Sequence, residues 1–253
     1  MNVEHLKIDS EILGRSVLSI SEFSRDKDFI SFEKHYRDQY DPVYVSCKIP
    51  MEDIGAIHVL ESYGFSLIEF QIRSTINLRK KYDVSKYHYK FELVKTEDEL
   101  KDVLAIARDT FVHDRFSIDP LINKQISGER YAGYVHKSFY DENESVYRLF
   151  EPKDKRTLAF KTHRYIGNNE VLFLLGGVHP DFKNLGLGPI NGFYEMNTLI
   201  SKGIKKGYTN ISAVNYPVFN LEIGRLGFRV IAVFAVLRKI YHEHVKKSTR
   251  QYT

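Results

Sequence analysis

The chain has 253 residues, 43% hydrophobic and 28% charged, enough for one large domain or two small ones. Its formal charge of +4 arises in residues 237–253, where Arg238, Lys239, Lys246, Lys247 and Arg250 face Glu243 alone; the rest is formally neutral, which argues against a nucleic-acid-binding fold. A single cysteine, Cys47, excludes an intrachain disulfide framework, and no apolar run approaches the ~18 residues of a membrane span. The opening MNVEHLKIDSE carries no signal-peptide pattern, so a cytoplasmic location is expected.

In chain order, residues 16–20 suit a strand and residues 25–40 have partly helical spacing that Pro42 breaks. Residues 43–49 alternate as a strand. Pro50-Met51-Glu52-Asp53 starts a helix to about residue 62, which Gly64 closes at the usual cap position. Residues 65–78 alternate as a long strand, which completes one α/β unit. Polar residues 79–87 read as a linker, their basic run suiting a solvated loop better than a binding patch.

Residues 91–94 restart as a strand. Thr96-Glu97-Asp98-Glu99 is a capping box, opening a helix through Leu100, Val103, Leu104, Ile106, Ala107 and Phe111. The next segment gathers His113, Asp114, Arg115, Phe116 and Asp119 between two predicted helices; these groups can bind a polar ligand, or simply cap and pair locally. In the helix expected over 123–140, Tyr131, Tyr134 and Phe139 fill a core more readily than they stack on a ligand, and Phe116 reads the same way. Strands follow at 147–150 and 157–166, the second joined through Gly167-Asn168-Asn169 to an apolar strand at 171–175.

That strand runs into GGVHPDFKNLGLGPING, residues 176–192. Val178-His179-Pro180 is a turn, and after Pro189 the spacing of Ile190, Phe193, Tyr194, Met196, Leu199 and Ile200 is helical. Strand, glycine-bearing loop and helix start gather backbone N–H donors where an anion is favoured. Gly186 and Gly188 can take unusual angles and admit an anion closely, and Pro189 suits the first helical position. The alternative is two glycines kept for tight packing. The stretch is neither a Walker loop nor the dinucleotide fingerprint. Beyond Gly203 and Gly207, which punctuate the helix end, come a strand at 211–214, a short helix at 217–225 and a strand at 228–237.

Val178-His179-Pro180 followed by Lys183-x-x-Gly186-x-Gly188 resembles the acyl-CoA pyrophosphate loop of the GNAT acyltransferase superfamily, usually V-x-P and then Q/R-x-x-G-x-G/A. Lys183 replaces Gln or Arg, and Pro189 removes an amide that the family loop often offers. Asn215, Asn220 and Leu226-Gly227-Phe228 resemble the family's second half, which commonly ends Y-x-x-x-G-F; here Ile223 stands where the tyrosine acid would be. Residues 104–140 resemble nucleotide-sugar acetyltransferases of the TDP-fucosamine type, whose truncated N-terminal half residues 1–80 also resemble in order.

The resemblance implies an α/β (α+β) fold with a GNAT-like mixed central sheet flanked by helices and a smaller N-terminal α/β subdomain. Residues 1–80, 88–240 and a basic tail at 241–253 are the expected divisions. It further implies acetyl-CoA or another acyl-CoA as co-substrate, held by Val178, Lys183, Asn184, Leu185, Gly186, Leu187, Gly188 and Asn220, with no metal. The acceptor would be a small amine, an amino-sugar nucleotide being favoured, met by His113, Asp114, Arg115, Phe116 and Asp119. A homodimer stays open, and nucleic acid is not expected.

Amide formation from a thioester needs a base for the amine and an acid for the thiolate. His179 or His113 suits the first, as does water; Tyr216 or Tyr194 can replace the missing acid. Two other readings are an acyl-CoA-binding module without turnover, which Ile223 motivates, and aminoacyl transfer to a peptide or lipid precursor, which the neutral body disfavours. His242-x-His244 is a weak metal pattern, and Cys47 has no catalytic setting.

Overall fold

The computed structural model describes residues 1–111, 115–120, 122 and 126–241. In chain order its elements are β1 (Asn2–His5), α1 (Lys7–Leu13), β2 (Val17–Ser21), α2 (Phe29–Tyr40), β3 (Tyr44–Pro50), α3 (Ile54–Ser62) and β4 (Ser66–Asn77). There follow β5 (Lys90–Leu93), α4 (Glu97–Thr110), α5 (Arg115–Ile118), α6 (Ile126–Tyr140), β6 (Glu144–Phe150), β7 (Thr157–Tyr165) and β8 (Glu170–Val178). The last elements are α7 (Leu187–Ser201), β9 (Lys206–Ser212), α8 (Tyr216–Leu221) and β10 (Arg229–Ile240). The chain divides into two compact units: residues 1–71 with those from Val233 onward, and Ile72–Ala232.

In the first unit β2 and β3 are parallel across α2, β1 is antiparallel to β2, and the end of β10 is antiparallel to β3. Tyr44, Val45, Ser46 and Cys47 are therefore buried on both faces of β3. Leu18, Phe29, Tyr36, Val45, Leu60, Phe65 and Leu237 form the core. Helix α3 starts at Ile54 rather than Pro50, because the Asp53 side chain accepts from the Ala56 amide and fixes the cap there. Gly64 closes it in the left-handed conformation, φ 84°.

In the second unit β5, β6, β7 and β8 form an antiparallel meander, and β9 adds parallel to β8 across α7. Such a parallel neighbour requires a crossover, and α7 is that crossover. Helix α4 begins with the expected capping box: Thr96 Oγ1 accepts from the Glu99 amide while the Glu99 carboxylate accepts from the Thr96 amide. Leu100, Val103, Ile106 and Ala107 on its apolar stripe pack with Val135 of α6 on Val146 and Phe160. The opposite face of the sheet, Leu149, Leu158 and Ala159, carries Leu187 and Ile190 of α7. This is a mixed central sheet with helices on both faces.

Two strand starts also move by several residues from the expected ones. Strand β6 starts at Glu144, whose carboxylate takes the Arg164 guanidinium at 2.5 Å and so ties the strand start to β7. Strand β9 starts at Lys206, with Gly207 inside it; a Cβ on Gly207 would stand 2.3 Å from Phe173 Cε2, so the ring occupies the missing side chain's space.

Candidate active site

Strand β8 has two different edges. Toward β7 it is paired along its length, from Tyr165↔Val171 to Ala159↔Val178, with a register shift where Leu174 is the extra residue. Toward β9, among the described residues, it pairs only at Glu170↔Lys206, Val171↔Gly207 and Leu172↔Tyr208. A bulge bends and twists its strand, which carries the second half of β8 away from its neighbour. From Phe173 to Val178 the edge facing away from β7 is open, and an extended ligand with amide groups can pair there as an added strand. Gly177 is required by packing, since a Cβ there would stand 2.7 Å from Phe160 Cε1; a Cβ on Gly176 would stand 2.8 Å from Cδ of the flexible Lys161 side chain, which would have to move.

Beyond Val178 the chain makes a 3₁₀ turn, Pro180–Phe182, and reaches α7 through an exposed loop. Left-handed angles fall on Asn184 (φ 74°) and Gly186 (φ 73°), not on Gly188. Helix α7 starts at Leu187, two residues before the expected Pro189, so Gly188 and Pro189 lie inside its first turn. Proline is tolerated throughout a first helical turn, because none of those N–H groups has an intrahelical acceptor. No side chain caps this helix. A Cβ on Gly186 would meet nothing within 4 Å among the described residues, so the space beside that glycine is open. Lys183 and Asn184 are exposed, and so is Leu185, at 66%. Arg156 pairs with Asp181 at 2.6 Å and lies over the Phe182 ring, adding a cation beside the loop. Below, Leu187 and Ile190 are buried with Val178 and Phe182 packed against them, so the loop is mounted on a firm base.

A buried polar cluster lies on the α7 side of β7. Glu195 of α7 accepts from His163 Nδ1 at 3.3 Å and stands 3.5 Å from Lys161 Nζ. That arrangement leaves His163 Nε2 to accept from the Tyr165 hydroxyl at 3.3 Å, and Lys202 Nζ donates to the same hydroxyl at 3.1 Å. The Lys161 side chain drapes over Gly176 at the open edge of β8.

Glu222 joins this cluster from the segment after α8. It is the first residue of a π-turn, Glu222–Leu226, and its Oε2 is buried with no hydrogen-bond partner among the described residues. Burial pushes its carboxyl up to about 7, the Lys161 ammonium opposing and the Glu195 carboxylate adding. The segment packs closely along α7: Leu221 Cδ2 is 3.5 Å from where a Cβ on Gly188 would be, and Leu226 Cδ1 3.0 Å from that of Gly192. Ile223, beside Glu222, faces the apolar cluster of Val171, Met196, Leu199, Leu226 and Phe228.

The other expected residues are distributed as follows. His179 caps the 3₁₀ turn, its Nδ1 accepting from the Asp181 amide at 3.2 Å, so that nitrogen is already engaged. Tyr194 packs against the cluster holding Val178, and its hydroxyl donates to the Tyr87 carbonyl at 3.3 Å; burial raises its phenol. Tyr216 is 65% exposed at the start of α8, and Asn220 is exposed on the same helix. His113, Asp114, His242 and His244 lie outside the described residues. Of the remaining acceptor-side group, Phe116 and Asp119 are buried, with the Arg130 guanidinium 4.3 Å over the Phe116 ring, while Arg115 is half-buried. Sequence reasoning missed Glu222, Lys161, His163 and Glu195. Their one visible signal is charge inside otherwise apolar elements, Lys161-x-His163 sharing one face of β7.

No family model matches the chain, and no curated protein does. Among solved structures it is similar to a GCN5-related N-acetyltransferase from Sphaerobacter thermophilus (11% identity, 94% of this chain and 76% of that one, TM-score 0.66). It is also similar to one from Kribbella flavida (14% identity, 91% and 84%, TM-score 0.58). A third similar structure is the glucosamine N-acetyltransferase region of a fungal multi-domain β-N-acetylglucosaminidase (13% identity, 89% of this chain and 30% of that one, TM-score 0.60). The protein therefore has the fold of the GCN5-related N-acetyltransferases. Among the described residues no helix is long and apolar enough to cross a membrane, and no three His, Cys, Asp or Glu side chains are grouped to hold a metal.

Proposed function

We propose that the protein is an N-acyltransferase moving an acetyl or other short acyl group from acyl-CoA to a small amine. The observation that carries this reading is the unpaired edge of β8 from Phe173 to Val178, followed by an exposed loop, 183–186, that leads into the start of α7, which no side chain caps. The amides of the pantetheine arm match the open edge, and the pyrophosphate matches the N-terminal donors of α7 with Lys183 beside them. Leu185, 66% exposed, supports this reading as an apolar side chain open to contact with the ligand.

For the acceptor we favour an amino sugar, in nucleotide-linked form. Arg115 is the half-buried cation suited to a phosphate on that side, and the fungal neighbour of similar fold acts on glucosamine. Ile223, seated among apolar side chains, keeps a second reading in play: an acyl-CoA-binding module without turnover.

The test is acetyl-CoA binding by calorimetry, then CoA release with a panel of free and nucleotide-linked amino sugars. Gly186→Glu sets a carboxylate against the diphosphate, and at φ 73° any side chain also strains the loop. Affinity should fall by at least roughly 100-fold, as for a like charge placed on a phosphate contact. Unchanged affinity refutes the loop assignment, and tight binding with no turnover across the panel favours the module.

A further inference from the structure

Resting on the acyl-transfer reading, we propose that Glu222 is the proton-transfer residue of this site, taking over the task for which Ile223 has no chemistry. Three observations place it. It stands on the segment after α8, whose Leu221 and Leu226 pack against Gly188 and Gly192 of α7. Its Oε2 is a buried acceptor with nothing to accept from, and such a group has a desolvation cost that a native fold seldom leaves uncompensated. Its nearest cation, Lys161, covers Gly176 on the open edge itself, so carboxyl and edge share one neighbour.

The charged groups acting on Glu222 are Lys161 from β7 and Glu195 from α7, the latter bonded to His163; Tyr82 donates to the Leu226 carbonyl, and Arg225 is exposed. Lys161, 3.5 Å from the Glu195 carboxylate, is a positioning residue: its charge keeps Glu222 ionisable near neutrality instead of locked as the acid. A carboxyl that titrates at about 7 can both take and give a proton at neutral pH. The acceptor arrives as an ammonium ion and gives one proton to the Glu222 carboxylate. Its nitrogen then forms the bond to the acyl carbon while the carbon–sulfur bond breaks. The departing thiolate takes the proton from Glu222, and the nitrogen's second proton leaves to solvent as the amide forms. Glu222 ends as it began.

The test measures acetyl-CoA affinity and the pH dependence of CoA release for wild type, Glu222→Gln, Glu222→Asp, Lys161→Met and Glu195→Gln. Expected for Glu222→Gln is acetyl-CoA affinity within about threefold of wild type, turnover lower by roughly 100-fold or more, and loss of the limb near pH 7. Glu222→Asp should restore part of the rate and keep a limb. Lys161→Met should move the limb to higher pH and Glu195→Gln to lower pH, opposite displacements that a purely structural role would not produce. Glu222→Gln turnover near wild type with its limb intact overturns this proposal and leaves the acyl-transfer reading standing. Wild type that fails to bind acetyl-CoA, or releases CoA with no amine, overturns that reading and this proposal with it.

Discussion

Glu222→Gln removes an ionisable group from a buried position while keeping its shape, so its effect on stability must change with pH in a definite direction. Burial lifts the carboxyl from an ordinary 4.5 to about 7. At about 1.4 kcal/mol per pH unit, the interval corresponds to roughly 3 kcal/mol. Below pH 4.5 the group is neutral in folded and unfolded chains and carries no electrostatic penalty. Between 4.5 and about 7 the unfolded chain releases the proton while the folded chain keeps it, so wild type loses stability as pH rises. Above about 7 both forms are ionised and the penalty is complete. The glutamine variant lacks this dependence, so its stability relative to wild type should rise by roughly 3 kcal/mol from acid pH to about pH 8. The unpaired amide donors add an offset of about 1–3 kcal/mol, nearly independent of pH, which leaves the slope intact. Urea unfolding of both proteins at several pH values gives the difference directly. A difference flat to within about 0.5 kcal/mol across that range would refute a carboxyl held protonated by burial.

Other substitutions check the frame around it. Thr96→Ala breaks one half of the capping box and should cost about 1 kcal/mol in urea unfolding, with no change in acetyl-CoA affinity. Burial pushes the Cys47 thiol up to about 12, so a chromogenic disulfide reagent at mildly alkaline pH should label the native protein only at the rate of global unfolding; prompt labelling would place Cys47 outside the core. Ile223→Tyr sets a hydroxyl into the apolar cluster around Leu226 and Phe228; it should destabilise by about 1–3 kcal/mol and leave CoA release no faster. A faster, equally stable variant would show that the side chain points elsewhere.

The parts legible in the sequence are those set by neighbours in the chain. The capping box at Thr96 and Glu99, the left-handed closure at Gly64 and the strand into Val178 each involve residues a few positions apart, and all three formed where expected. The start of α7 was misplaced because a proline marks a first turn without specifying a position within it. Gly207 looked like a helix-ending glycine but lies in β9, since its lack of a side chain serves a phenylalanine ring from another strand. The opening between β8 and β9 depends on one extra residue, Leu174, in a run of apolar side chains that gives no hint of irregular pairing. The cluster of Lys161, His163, Glu195 and Glu222 draws on three separate parts of the chain, and only packing brings them together.

The setting of Ile223 has a structural cause. Counting four residues back from Gly227 assumes a regular α-helix, but here the Glu222 carbonyl accepts from the Gly227 and Phe228 amides and the turn is widened by one residue. Each residue along a helix turns a side chain by about 100°, so one extra residue changes which neighbour faces inward. Ile223 is carried onto the apolar side of α7, and Glu222 into the polar space beside Lys161. The same two backbone bonds that close the turn on Gly227 hold Glu222 at its root, so its position is set by main chain rather than by a flexible side-chain contact. A family motif read by residue count would report an absent acid here, whereas the widened turn puts a titratable group one residue earlier, buried beside Lys161.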